Sequence, residues 1–473
     1  MKKMELSGNQ KKLLASLAVV IFVIFSFSVA LKLRATPALI NPPWLPQFDS
    51  YWFYRYAKMT VDNDMKIPDW DSLSYFPPGR PADKSTQFYT YLLAYSFAIG
   101  KNFLHDLTLV QSTKWAAAIL ASLSVFPAYF IGKYMGGRVA GLLSSILIAV
   151  SPSILVRTGA DPDNDGAVVF LTMFSFFAFT KLIKEPNWKN AALAVFSLTL
   201  FALSWYPFWY VVMICVGGLL FNIALSFGQS ILAKNKKIFE STVEDSKTKL
   251  KYSAAVILGI IIVPLLLGVN TLSYFGGFIL FGTDPQGSSI VNISVAELQK
   301  LNIFSLSGWE QVVGRTAGLE FFGYIIPQVP QLFSYLVEII IIASMAYASW
   351  KSYSVKKRAE TFVFGSSSIA GIFLLLMNAS MVSFLQILMF VALVQYAILA
   401  TFRRNRFMGS ILFVWVGFTF YAISSGVRFT LLFAPAAAIA FAVGLGELWM
   451  WANKKEAGII EALENKIHGD KDG

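Results

Sequence analysis

A chain of 473 residues that is 56% hydrophobic and only 14% charged, with mean hydropathy +0.60, is too apolar for a soluble globule of this size. Its net charge of +12 invites a nucleic-acid partner, but the basic residues gather in short loops between apolar runs, which positive-inside topology explains without one. A single cysteine excludes an internal disulfide, and with only two histidines any metal in this chain is expected to be held by oxygen.

Lys2, Lys3, Lys11 and Lys12 precede an apolar run from Leu13 to Leu31. The run is longer than a signal core and no small-x-small cleavage site follows, so it reads as an uncleaved first span with its N-terminus inside. A long external segment, about 32–108, comes next, rich in Pro, Asp and aromatics. Within it, Tyr89 to Ile99 is too short and interrupted for a span and reads as an interfacial or re-entrant helix. Spans are expected at about 109–132 and 139–155, joined by a short turn bearing Lys133 and Arg138.

The loop that follows, Arg157-Thr-Gly-Ala-Asp-Pro-Asp-Asn-Asp-Gly166, sets Asp161, Asp163 and Asp165 within five residues. Carboxylates are costly in hydrocarbon, so they belong at a membrane surface or in a wet cavity. Alternate acids on a short loop offer hard oxygen ligands to one divalent cation. They equally suit the N-terminus of the next helix, as caps and dipole partners.

Spans near 167–183 and 191–205 flank an inside loop with Lys184 and Lys189. The external turn Trp205-Tyr-Pro-Phe-Trp-Tyr210 leads into a span ending near 231. The largest internal loop carries Lys234, Lys236, Lys237, Lys247, Lys249 and Lys251, and a span follows at 253–269. After a second external segment, about 270–320, come spans near 322–349, 361–377, 381–401, 408–424 and 429–451. Lys351, Lys356, Lys357 and Arg358, then Arg403, Arg404 and Arg406, fill the inside loops between them. The outcome is an all-α polytopic protein of about twelve spans with both ends inside. Every dense basic loop falls on one side, and Asp49, the Asp161–Asp165 loop and Glu297 fall on the other. No internal repeat or sizeable soluble domain interrupts it.

Taken singly, the external charged residues have ordinary readings. Asp49 suits a helix N-cap. Ser294-Val-Ala-Glu297 is a capping box, and Arg157 and Arg428 suit interfacial arginines. Together, on one face, they match what a lipid-linked phosphate requires. A cation held by acids acts as Lewis acid and template, and arginines recognise phosphate by fork geometry.

The same residues carry a family resemblance. The chain resembles the catalytic subunit of asparagine-linked oligosaccharyltransferases, glycosyltransferases of the GT-C class. Asp49 with its following aromatics and Arg55 is similar to the family's first external acid motif. Arg157 with Asp163-Asn-Asp165 is similar to the second, and Ser294-Val-Ala-Glu297 to the motif of the fifth external loop. Gly426-Val-Arg-Phe-Thr-Leu-Leu432 resembles the span whose arginine faces the donor diphosphate, and Ser204-Trp-Tyr-Pro-Phe-Trp209 the Trp-Gly-Gly-Tyr turn, less closely.

The resemblance covers the first span to about Trp451 and implies a GT-C transmembrane domain over 1–452, with 453–473 a short charged cytoplasmic tail. It implies that Asp49, Asp163, Asp165 and Glu297 surround one Mn2+ or Mg2+ on the extracytoplasmic side of a cell membrane. It further implies that Asp49 and Glu297 grip and twist an acceptor amide while Arg157 supports the acids. Arg428, with Trp205 and Tyr206, is assigned to the donor lipid (di)phosphate. Asp161 has no counterpart in the pattern. The implied partners are a polyprenyl, dolichyl-type, phosphate- or diphosphate-linked glycan and an acceptor outside the membrane, most simply a protein asparagine. The family's later Trp-Trp-Asp-Tyr-Gly motif is missing here, so a separate subunit for acceptor recognition is expected, or a lipid or cell-wall glycan as acceptor. A non-catalytic transporter or pseudoenzyme is the rival reading.

Overall fold

The computed structural model describes residues 7–40, 44, 45, 47–159, 161–273, 275, 381–423, 426 and 429–469. The expected spans at 322–349 and 361–377, with Glu297 and Arg428, lie outside the described residues. Among the described residues the chain is a helical bundle, as its apolar runs require. In hydrocarbon the backbone must satisfy its own polar groups, and helices do so within one segment. Among the described residues, seven helical segments are long and apolar enough to cross a membrane.

Helix α1 (Gly8–Ile40) lies against α4 (Leu109–Ser122) and α5 (Val125–Val150). Gly137 breaks α5 with φ +88°, and there the chain turns back on itself. A β-carbon on Gly141 would stand 2.7 Å from the carbonyl oxygen of Tyr129, twelve residues earlier, which only an antiparallel pair of arms allows. This is the expected turn between Lys133 and Arg138. The predicted span 139–155 is shorter than expected: it stops at Val150, and Pro152 opens a separate short helix, α6 (Pro152–Thr158). Pro at a first helical position costs no hydrogen bond, which favours a new start there over continuation.

Helices α7 (Asp165–Lys184), α8 (Trp188–Ala202), α9 (Trp209–Leu232) and α10 (Lys236–Leu266) follow, with a 3-10 turn at Tyr206–Phe208 before α9. Then come α11 (Met381–Arg404), α12 (Arg406–Ile423) and α13 (Thr430–Gly469). The core is centred on α7, where Phe176 stacks on Trp415 of α12 with ring centroids 3.8 Å apart, and α13 packs along α5. On the basic side, Arg404 pairs with Glu447 at 2.6 Å, joining the end of α11 to the middle of α13.

Three expected loops are structured. The lysine-rich internal loop is the first half of α10, because its many Lys and Glu favour helix and no Gly or Pro interrupts them. The tail from 453 continues α13 as far as Gly469. The first external segment contains α2 (Phe48–Asp62), a two-stranded antiparallel pair β1 (Trp70–Asp71) and β2 (Arg80–Pro81), and α3 (Gln87–Lys101). Arg55 clips this segment together. Its Nη1 donates to Asp71 Oδ1 at 2.8 Å and its Nη2 to Asp71 Oδ2, while the Leu73 and Ser74 amides donate to Oδ1. The Arg55 contact holds the Asp71 carboxyl well below the usual carboxylate range, against the cost of burial. Arg55, read by resemblance as part of an acid motif, is in the structure the clamp of a hairpin.

Candidate active site at the acidic loop

The acidic loop lies between α6 and α7, and every neighbouring element fastens to it. Arg157 stands in the last turn of α6, and its Nη1 lies 3.5 Å from Oδ2 of Asp165 in the first turn of α7. Asp165 therefore combines an ion pair with the favourable dipole of a helix start. The cap position itself belongs to Asn164, whose side chain makes no capping bond. Its Nδ2 donates instead to the Ser204 carbonyl at 3.3 Å, tying the loop to the turn before α9. From α3, the buried Tyr89 hydroxyl donates to the Asp163 carbonyl at 2.8 Å.

Asp49 occupies the exposed first turn of α2; the cap position is Gln47, so the N-cap reading of Asp49 does not hold. Its neighbour Ser50 is buried and donates its hydroxyl to Oδ1 of Asp161. Behind the loop, the fully buried Arg34 near the end of α1 donates from Nε to Thr158 Oγ1 at 3.0 Å. Its Nη1 reaches the carbonyls of Ala30 and Ala149, each at 3.1 Å. One guanidinium thus joins α1 to the ends of α5 and α6.

The carboxylates feel one another. Burial, then the charge of Asp165, pushes the Asp161 carboxyl up to about 7, while Lys114 of α4 opposes the shift. Asp163 is raised as well, by burial first and then by the charges of Asp165 and Asp49. The Tyr89 phenol is driven upward by burial and by Asp163, Asp161 and Asp165. The four acids are therefore one electrostatic unit, although Asp49 is more than a hundred residues from the rest.

Among the described residues, no three His, Cys, Asp or Glu side chains are arranged to hold a metal ion. The donor set nevertheless suits a hard divalent cation: the ligands are carboxylate oxygens. They repel one another, and Asp161 Oδ2 is buried with no hydrogen-bond partner. Glu297, the fourth acid of the expected cation set, lies outside the described residues.

Trp205 and Tyr206 sit at the 3-10 turn beside Ser204, with Trp205 stacked on Phe201 at 5.8 Å. Ser50, Tyr89, Lys114 and Arg34 are site neighbours that the sequence reading missed. Only the adjacency of Ser50 to Asp49 offered a signal; the others follow from tertiary placement.

Residues 17–449 match the family model described as oligosaccharyl transferase STT3, N-terminal. The chain is 24% identical over 428 residues to the dolichyl-phosphooligosaccharide-protein glycotransferase of Methanococcus voltae, covering 85% of this chain and 41% of that protein. Its fold matches that of the archaeal oligosaccharyltransferase AglB from Archaeoglobus fulgidus in complex with an inhibitory peptide and a dolichol-phosphate. That match has a TM-score of 0.53 at 18% identity and covers 95% of this chain and 52% of that one. The Archaeoglobus enzyme in complex with Zn and sulfate matches with a TM-score of 0.52 at 19% identity, over 94% and 51% of the two chains. The chain thus spans about half the length of these relatives or less. The likeness bears out the polytopic GT-C type bundle expected from the sequence.

Proposed function

This chain belongs to the oligosaccharyl transferase STT3 family, and from that membership we infer that it transfers a glycan from a dolichyl-type polyprenyl phosphate or diphosphate to a protein acceptor. The reaction takes place at the extracytoplasmic rim of a cell membrane, and the acceptor atom is an asparagine side-chain nitrogen. One observation carries this reading: Arg157 engages Asp165 beside Asp163, on a loop whose charges Asp49 shares across more than a hundred residues of chain.

A carboxamide nitrogen is a poor nucleophile because its lone pair is delocalised. Asp49 and Glu297 accept the two amide N–H bonds and turn the group out of conjugation. Asp49, Asp163, Asp165 and Glu297 are the residues that would hold Mn2+ or Mg2+, which when bound supplies positive charge to the departing (di)phosphate. Arg157 keeps Asp165 in its orientation through the ion pair. Arg428 neutralises the leaving phosphate, since charge that develops in the transition state is best met by donors already in place. Trp205 and Tyr206 flank the donor lipid near the head group.

The test is transfer by the purified full chain, supplied with labelled polyprenyl-linked glycan and paired peptides with or without asparagine. Glycopeptide formation requires added Mn2+ or Mg2+, stops with chelator, and is lost in the double variant Asp163→Ala, Glu297→Gln. Turnover that survives either treatment, or label appearing only in glycolipid, overturns the reading.

A further inference from the structure

Asp161 is the one acid of the loop to which the family pattern gives no role, yet it is the most enclosed. It is 3% exposed, and its Oδ1 accepts the hydroxyl of Ser50, 111 residues away in the chain. Its Oδ2 is buried without a hydrogen-bond partner. Lys114 on α4, also 3% exposed, supplies a positive charge that Asp161 feels.

The position of this contact gives it meaning. Ser50 directly follows Asp49 in the first turn of α2, and Asp161 lies two residues before Asp163. A hydrogen bond to a carboxylate is about twice as strong as a neutral one, so it suits a joint between segments that no backbone ladder connects. Tyr89 and Asn164 fasten the same loop to α3 and to the turn at Ser204, but neither reaches α2. The Ser50–Asp161 bond ties the helix of Asp49 directly to the loop of Asp163 and Asp165.

We propose that Asp161 is a positioning residue which, through its clasp on Ser50, sets the separation between Asp49 and the Asp163/Asp165 pair. Its work is geometric: it holds the ligands and is not one of them. This rests on the reading of Asp49, Asp163 and Asp165 as cation ligands.

The experiment uses the full chain in detergent and reads Mn2+ affinity by EPR of the free ion. Partners that orient ligands without touching the metal are typically worth ~10–100-fold in affinity, and that loss is expected for Ser50→Ala and for Asp161→Ala. The double variant should be no weaker than either single one, because both remove the same bond. Asp161→Asn keeps an oxygen for Ser50 and should recover most of the affinity. The proposal is overturned if Asp161→Asn is as damaging as Asp161→Ala, if the two single losses multiply, or if Ser50→Ala changes nothing. Should the unaltered chain bind no Mn2+, the cation reading fails, and a second readout judges the clasp alone. Nitroxide labels on Asn63→Cys and Val156→Cys, with Cys215→Ser, should give one narrow distance by pulsed EPR. Broadening in Ser50→Ala and Asp161→Ala supports the clasp, and an unchanged distribution refutes it.

Discussion

Arg157 has to hold Asp165 across 3.5 Å while both side chains keep some access to solvent. A planar guanidinium can do this and still present donors to a second oxygen, whereas an ammonium is a point charge. Arg157→Ala is therefore expected to lower kcat about 100-fold, the scale of one preorganised electrostatic contact, with Arg157→Lys in between. Initial rates at saturating donor check it.

The raised proton affinity of Asp163 makes a second prediction, with a definite sign. Cation ligands must be deprotonated, so Mn2+ uptake releases a proton from Asp163 and the apparent affinity falls as pH drops below about 8, approaching tenfold per unit for each proton displaced. Calorimetry in buffers of different ionisation enthalpy measures the release directly. Arg157, Asp163 and Asp165 were legible in the sequence because they share one short loop with fixed spacing. Ser50, Tyr89 and Arg34 were not, since each acts on a segment far along the chain and no local pattern announces such a meeting. Asp161 stands outside the motif's spacing, and burial cannot be read from spacing.

Among the elements, the reversal in α5 depends on Gly137, whose backbone adopts φ +88° and ψ −173°. That region is closed to residues with a β-carbon, and forcing one into it costs ~1–3 kcal/mol. Gly137→Ala should lower the thermal midpoint in detergent. Gly217→Ala, in the middle of α9 where the new methyl would meet Val414 at an ordinary 3.6 Å, should not.

The Arg55–Asp71 clip gives an opposite acid signature from the loop. A depressed carboxyl contributes stability that is fully present above its unfolded value, about pH 4, and is lost only as pH falls through the lower native value. Protease resistance of residues 70–81 should hold from pH 7 to 4, and Asp71→Asn should lose it already at pH 7. Hydropathy and charge located the spans because the bilayer imposes length and sidedness on every segment. Outside the bilayer that constraint lapses: α2, α3 and the first half of α10 are amphipathic or polar helices whose partners, not their periodicity, decide them. The break at Ser151 was hidden for a related reason, because Pro152 both ends one helix and begins the next.

For the molecule as a whole, sidedness is the property with most at stake, because the proposed transfer requires the acids and the acceptor on the same face. In a Cys215→Ser background, Asn63→Cys beside α2 and Glu244→Cys on α10 should label with impermeant maleimide from opposite sides of intact membranes. Labelling of both from one side would overturn the topology. The polytopic architecture was readable because the two faces differ so consistently in charge; the enclosed part of the site was not, because it is assembled from four elements at once.

The lysines of α10 extend this to time as well as space. Lys236, Lys237, Lys247, Lys249 and Lys251 all ride on one continuous rod that runs into an apolar end. Dragging each through the oily interior would cost ~2.5–3.5 kcal/mol even on the mildest scale, so inverting the rod is barred for the life of the protein. Orientation is decided once, during insertion, and kept thereafter.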